Sequence, residues 1–321
     1  MHTTQTIAAT AVVGAGYMGG GIAQVLALHG YTVALGDVDG EIAERSRLRL
    51  VNQARDFEAR GLLPAGAADT IAGNLTAAAS IEDAVSTADY VAEAVPEDRA
   101  IKADILRRIS AAAPAGAVIA SNTSAIPIGE LAAAVRNPER FLGVHWMNPA
   151  PFIPGVELIP GPQTSPGVMD LAEELIRALG KTPAHVADTP GFVANRLQFA
   201  LYKEAARIVE EGVAAPSQID AVVSSTFGFR LALFGPFAIG DMAGLDVYES
   251  SYRTLEKAYG ERFSPPAALA SAVEEGNLGL KTGRGFLDID PASREDLVAY
   301  RDGAYARLSQ LRAELGQAPG L

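Results

Sequence analysis

The 321-residue chain contains no cysteine. That absence excludes disulfides, thiolate metal sites and a cysteine nucleophile. It fits a cytosolic enzyme, and a cytoplasmic location is expected. Histidine is scarce too, with His2, His29, His145 and His185 the only four. No two of them stand at the helical or hairpin spacing of a zinc site, so no metal is expected. No apolar run is long enough to span a membrane. The first apolar run has no basic segment before it and no cleavage pattern after it, so it reads as a strand and not as a signal peptide. Positive charge is short, with 26 Lys and Arg against 38 Asp and Glu and a net charge of -12. General nucleic-acid binding is therefore not expected, and an anionic substrate would need local basic residues. No GxSxG elbow is present, which removes the serine-hydrolase class. Repeats and low-complexity segments are also missing.

What is present is a globular composition, 49% hydrophobic and 20% charged, at a length that favours two domains. Thr10 to Val13 is a β-type run that enters Gly14-Ala15-Gly16-Tyr17-Met18-Gly19, a GxGxxG. Behind it Met18, Ile22, Val25 and Leu26 share a helical face, and Gly30 stands at its stop. Tyr31 to Leu35 is a second strand, ending at Asp37, 18 positions after Gly19. A lone GxGxxG is weak; strand, helix, second strand and terminal acid together make a dinucleotide fingerprint. The glycines allow a tight turn and close approach to pyrophosphate, and the helix N-terminus supplies N–H groups. Asp37 would bind ribose hydroxyls and repel a 2′-phosphate, which favours NAD over NADP.

Residues 40 to 61 read as a charged helix bearing Arg45, Arg47, Arg49, Arg55 and Arg60. A solvated face with i,i+4 ion pairs is the plain reading; an arm touching a phosphorylated substrate tail is the sharper one. Asp89 to Val95 is a strand holding Glu93, with Glu97 just beyond, and a helix from Arg99 follows. Ala117 to Ala120 is another strand, ending in Ser121-Asn122-Thr123-Ser124. Polar residues at a strand's carboxyl end are either a ligand site or the cap of the next helix.

Phe141 to Val144 is a strand ending at His145, and Val156 to Ile159 is one more. The proline-rich loop between them is expected to fold the chain back, so that Glu157 meets the imidazole of His145. A dinucleotide site implies hydride transfer, and oxidation of an alcohol needs a base for its proton. Histidine, with an unperturbed pKa of ~6.5, suits that task. Glu157 would fix the tautomer and stabilise the imidazolium. A satisfied interior histidine is the plain alternative for His145 alone, but a carboxylate in an apolar strand needs a partner. By contrast His29 belongs to a helix end, and His185 to a short strand with no polar company.

A helix from Pro166 to Leu179 and a strand at Pro183 to Ala187 close the α/β part. Beyond Asp188-Thr189-Pro190-Gly191 the pattern is helical: Phe192 to Glu211, a helix opened by a capping box at Ser217 to Asp220, and stretches near 244–258, 266–275 and 293–315. Lys281 to Phe286, KTGRGF, is not a P-loop, because GKT order and an upstream strand are missing.

Nine motifs between Val12 and Phe286 resemble the L-3-hydroxyacyl-CoA dehydrogenase family: VGAGYMGGGIAQ, ADYVAEAV, ASNTSAIPI, GVHWMNPAP, the acid of VELI, DTPGFVANR, FGPF, GLD and KTGRGF. The resemblance implies an α/β fold, with a Rossmann-type, mostly parallel sheet over residues 1–188. An all-helical domain over 189–321 would follow, closing over the substrate and forming a homodimer contact. It implies NAD as cofactor, near Gly14, Gly16, Tyr17, Met18, Gly19, Asp37, Glu93, Lys102 and Asn122; an exposed helix lysine is the plain alternative for Lys102. His145 matches the family's catalytic histidine and Glu157 its paired acid. Ser124 matches the serine on the substrate C3 oxygen, and Asn148 and Asn195 match the two active-site asparagines. Two departures stand out: the family's basic and aliphatic residues before the glutamate are here Pro154 and Gly155, and its aromatic pair after the histidine is here Trp146-Met147. The small-molecule substrate is then an acyl-CoA or a free polar 3-hydroxy acid such as L-gulonate or carnitine. A protein that binds NAD without turnover is a third possibility, opposed by the intact His145, Glu157, Ser124 and Asn148 set.

Overall fold

The computed structural model describes residues 7–319, so His2 lies outside it. Eight strands form one sheet: β1 Ala9–Val13, β2 Thr32–Gly36, β3 Leu75–Ala77, β4 Tyr90–Glu93, β5 Val118–Ser121, β6 Phe141–Trp146, β7 Gly155–Pro160 and β8 Thr182–His185. Their spatial order is β3-β2-β1-β4-β5-β6-β7-β8. β1 to β6 run parallel, β7 turns back antiparallel to β6, and β8 runs parallel to β7. This is the expected mostly parallel, doubly wound sheet. Its strand order reverses between β1 and β4, where open α/β sheets bind ligands.

The helices of this part are α1 Tyr17–Leu28, α2 Gly40–Ala59, α3 Ala67–Asn74, α4 Ile81–Val85, α5 Arg99–Ala112, α6 Ile128–Ala132, α7 Pro166–Ala178 and α8 Ala194–Glu210. α3, α4, α6 and β3 are absent from the sequence reading; they are short, and tertiary contacts decide them more than periodicity does. One core joins α1, α3 and α7 to Val12, Tyr90, Val118, Val144, Trp146 and Leu158. The other packs α4, α5 and α6 on Val13, Val91, Ile119, Phe141 and Ile159. Side chains alternate between faces along a strand. Thus Trp146 lies in the first core, while His145, one residue earlier, faces the side of the second.

Two expectations fail here. His185 is not alone: it ends the edge strand beside α7, and its Nε2 lies 2.7 Å from Glu173 Oε2. The capping box at Ser217 does not form either. α9 begins at Pro216, which puts Ser217 inside the first turn, and its N-cap Ala215 offers no side-chain bond.

The chain divides into two compact units, one ending at Tyr202 and one beginning at Lys203. In the second, α9 Pro216–Ser225 is followed by α10 Phe227–Leu231, α11 Pro236–Ala243, α12 Leu245–Tyr259, α13 Ala267–Glu274 and α14 Arg294–Leu315. The KTGRGF stretch wraps the fully buried carboxylate of Asp241, which accepts from Phe286 N–H at 3.1 Å and Leu287 N–H at 2.8 Å. A Cβ on Gly285 would stand 2.3 Å from Asp241 Oδ1. The motif's glycine thus serves an internal carboxylate and no phosphate.

Gly143 on β6 gives a test of the second core. An added Cβ would meet Ile128 Cδ1 at 2.6 Å and Ile128 Cγ1 at 2.8 Å, and Ile128 is itself fully buried. Gly143→Ala should cost about 1–3 kcal/mol of stability by overpacking. A urea unfolding midpoint equal to that of the parent would contradict this packing.

Candidate active site

The loop between β6 and β7 brings His145 and Glu157 directly opposite each other in the antiparallel ladder. His145 Nδ1 lies 2.8 Å from Glu157 Oε2, and both residues are buried. A carboxylate only accepts, so Nδ1 carries a proton, and in the neutral ring Nε2 keeps its lone pair. The other oxygen, Oε1, accepts from Val193 N–H at 3.0 Å and Ala194 N–H at 2.9 Å, at the start of α8. Burial pushes the Glu157 carboxyl pKa up. The bonds from His145, Ala194 and Val193 outweigh it and hold the pKa below the usual value. Gly191 and Phe192 both adopt positive φ, 75° and 47°. This turn aims the two N–H groups at Glu157 and lays Phe192 against the imidazole, ring centroids 5.7 Å apart. DTPGFVANR is therefore the bracket that clamps the His–Glu pair.

Ser124 follows the carboxyl end of β5, and its loop is tied from two sides. Glu97 Oε1 accepts from Thr123 Oγ1 at 2.6 Å, Ser124 N–H at 2.9 Å and Ala125 N–H at 3.0 Å. Asn195 Nδ2 donates to the Ser124 carbonyl at 2.9 Å. The Ser124 hydroxyl takes no part in these bonds. Glu97 was passed over as a site residue in the sequence. The signal was an acid just past a strand end, but which donors it gathers depends on a loop 26 residues away. Asn122 Oδ1 accepts from Trp146 N–H at 2.9 Å, so its carbonyl oxygen joins β5 to β6. Asn148 is exposed in the loop after β6.

Lys102 is no exposed helix lysine. It and Glu93 are both fully buried and paired at 2.8 Å. Glu93 also accepts from Ser121 Oγ at 2.5 Å and Val95 N–H at 2.8 Å. α5 is capped by Asp98, which starts the helix where Lys102 points back under the end of β4. Glu93 and Lys102 thus form the foundation beneath the Glu97 loop.

The glycine loop fits a dinucleotide. Gly14 has φ 91°, and a Cβ there would stand 2.8 Å from the Ala94 carbonyl oxygen. A Cβ on Gly19 would stand 1.9 Å from the Gly14 carbonyl oxygen. These two glycines are demanded by the chain's own packing. Gly16 differs: a Cβ there meets nothing within 4 Å, which is the room a bound phosphate needs. Tyr17 and Met18 open α1, whose first turn holds no acid. Asp37 Oδ2 accepts from Ala15 N–H at 2.9 Å. Arg49 Nη2 donates to the Ala15 carbonyl at 2.8 Å, so this arginine of α2 braces the loop. Its neighbours follow the plain reading. Arg47 pairs with Glu44 at 2.7 Å, Arg60 with Asp56 at 3.2 Å, and Arg45 approaches Glu41 at 3.7 Å.

Known proteins resemble this chain over most of its length. Residues 9–189 match the family model described as 3-hydroxyacyl-CoA dehydrogenase, NAD binding domain. Residues 191–289 match that of the 3-hydroxyacyl-CoA dehydrogenase C-terminal domain. A probable 3-hydroxybutyryl-CoA dehydrogenase of Bacillus subtilis is 39% identical over 285 residues, covering 87% of this chain and 96% of its own. A 5-formyl-3-hydroxy-2-methylpyridine 4-carboxylate 5-dehydrogenase of Mesorhizobium japonicum is 38% identical over 293 residues, covering 91% and 94%. The crystal structure of the 3-hydroxyacyl-CoA dehydrogenase of Archaeoglobus fulgidus superposes with a TM-score of 0.76 at 31% identity, covering 94% of this chain and 99% of that one.

Two measurements probe the site's supports. Lys102→Met leaves the Glu93 carboxylate buried without its cation and should cost about 3–5 kcal/mol in chemical denaturation. A loss below about 1 kcal/mol would refute that role. Because Glu157 has a lowered folded-state pKa, its stabilisation is present above the unfolded pKa and is lost as pH falls through the folded value. Glu157→Gln should therefore flatten the fall in stability between about pH 5 and pH 3. An acid limb as steep as the parent's would contradict the linkage.

Proposed function

The chain belongs to the 3-hydroxyacyl-CoA dehydrogenase family, and on that premise we propose that it oxidises the 3-hydroxyl of an L-3-hydroxyacyl-CoA to a 3-keto group with NAD. The observation that carries this reading is the buried His145–Glu157 contact, with Nε2 of the imidazole left as a base. The substrate hydroxyl gives its proton to His145 Nε2. Glu157, already ionised, stabilises the imidazolium that forms. The Ser124 hydroxyl and the second amide N–H of Asn195 hold the C3 oxygen, and Asn148 completes the polar set. Gly14, Gly16, Gly19, the first turn of α1 and Asp37 would hold NAD, which would supply the acceptor for the hydride. In the reverse direction His145 returns the proton as a 3-keto group is reduced.

A second reading, a free hydroxy carboxylate as substrate, is favoured by two observations. The Mesorhizobium relative is named for a pyridine carboxylate. In addition, Arg45, Arg47 and Arg60 are paired with acids of their own helix, which leaves less positive charge for a phosphorylated tail. The family reading also carries the domain roles: NAD bound within residues 1–188, and residues 189–321 serving the substrate and a homodimer. Phe199 and Tyr202, exposed on α8, support the homodimer. The lack of cysteine supports a cytoplasmic enzyme.

NADH formation measured with L-3-hydroxybutyryl-CoA, free L-3-hydroxybutyrate, L-gulonate and L-carnitine decides between the readings. Turnover of the thioester is expected; turnover of free acids alone would transfer the proposal to the second reading. His145→Ala should abolish turnover and leave NAD affinity nearly intact, and surviving activity would refute His145 as the base.

A further inference from the structure

The loop from Met147 to Pro154 joins His145 to Glu157 and carries Asn148. Pro149, Pro151 and Pro154 remove three N–H donors from it, so it has little with which to satisfy its own carbonyls. The Pro149 carbonyl is served locally, by Phe152 N–H and Ile153 N–H, both at 3.0 Å. Three of the other carbonyls turn to one side chain. Lys181 Nζ donates to Ala150 O at 2.7 Å, Ile153 O at 2.8 Å and Pro151 O at 3.2 Å. An ammonium has three N–H bonds, and here all three go to this loop. The next residue adds a fourth tie, Thr182 N–H to the Pro154 carbonyl at 2.8 Å.

Among the described residues no carboxylate forms an ion pair with Lys181. Besides the carbonyls, the Trp146 ring lies near the ammonium, its centroid 5.8 Å from Nζ. Partial burial lowers the Lys181 pKa. Such a cation is spent on holding backbone in place and has no N–H left for an anion. The held loop in turn leans on the cofactor helix: a Cβ on Gly21 of α1 would stand 3.1 Å from Pro151 Cδ and 3.2 Å from Ala150 Cβ. Phe152 meets Phe57 of α2 edge-on, centroids 5.2 Å apart. One ammonium therefore locks the His145–Glu157 connection against α1, which follows the glycine loop, and against α2.

We propose that Lys181 is a positioning residue of the reaction, gathering the carbonyls of Ala150, Pro151 and Ile153 so that the loop presents Asn148 to the substrate. The inference rests on the reading of Asn148 as a substrate contact. Lysine suits the task because a compact ammonium can meet three convergent carbonyls at once, whereas a planar guanidinium spreads its donors in a fork.

The test uses the full-length chain with NAD and the substrate it turns over, comparing the parent with Lys181→Met and Lys181→Arg. Lys181→Met should lower kcat at least about tenfold, the scale of small misplacements in an active site. KM for NAD should stay within about twofold, because the glycine loop keeps its own supports. Lys181→Arg should recover part of kcat, since it keeps the charge and some donors. A folded Lys181→Met with parental kcat, a KM for NAD that rises as kcat falls, or an arginine variant no better than methionine would each overturn the proposal. Should the methionine variant not fold, Lys181→Gln replaces it, keeping two N–H donors without the charge. Hydrogen exchange of the Phe152 and Ile153 amides separates this proposal from the functional reading. If no substrate is turned over, the functional reading fails; if, in addition, exchange is equal in parent and variant, the clamp fails too.

Discussion

The structure depends on one carboxylate that works in two directions. Glu157 reaches across the ladder to His145 with one oxygen and caps the start of α8 with the other. The first bond decides which imidazole nitrogen carries the proton in the neutral ring. The second joins the pair to the segment that carries Asn195. Because both partners are buried, each bond is made in a medium of low dielectric, where a missing partner would be costly. The antiparallel turn of β7 exists in an otherwise parallel run, and it is what sets these residues face to face.

The same device recurs through the molecule. Asp37 accepts from Ala15 N–H, Glu97 from Ser124 and Ala125 N–H, Asp188 from Ile128 and Gly129 N–H, and Asp241 from Phe286 and Leu287 N–H. In an acidic chain with a net charge of -12, these carboxylates are brackets that gather backbone donors and fix loops. Lys181 is the inverse case, a cation that gathers acceptors from a loop whose prolines leave it few donors of its own. Most of the motifs that mark the family thus pair a loop with the charged side chain that holds it.

Much of this was legible in the sequence because it was local or periodic. The GxGxxG unit with Asp37 and the His145–Glu157 meeting followed from pattern and spacing, while the parallel sheet followed from the family resemblance. Short elements such as α3, α4 and α6 were not legible, because their stability comes from packing and not from their own periodicity. Lys102 was ambiguous for a related reason: nothing local tells a lysine buried against Glu93 from one on a solvated face. His185 was misread because its partner Glu173 sits on a helix whose approach to β8 is a tertiary fact. Glu97 and Lys181 escaped notice since each acts on a loop more than 25 residues away, and sequence separation hides such contacts.

The central claim is that Glu157 holds the proton of His145 on Nδ1 and leaves Nε2 free to act. Nitrogen-15 NMR of the histidine side chains, at a pH where the imidazole is neutral, tests this most directly. With only four histidines, the His145 signals can be assigned by comparison with His145→Ala. The account predicts the Nδ1–H tautomer in the parent and loss of that preference in Glu157→Gln. A resting enzyme with the proton on Nε2, or a tautomer indifferent to the loss of Glu157, would contradict it.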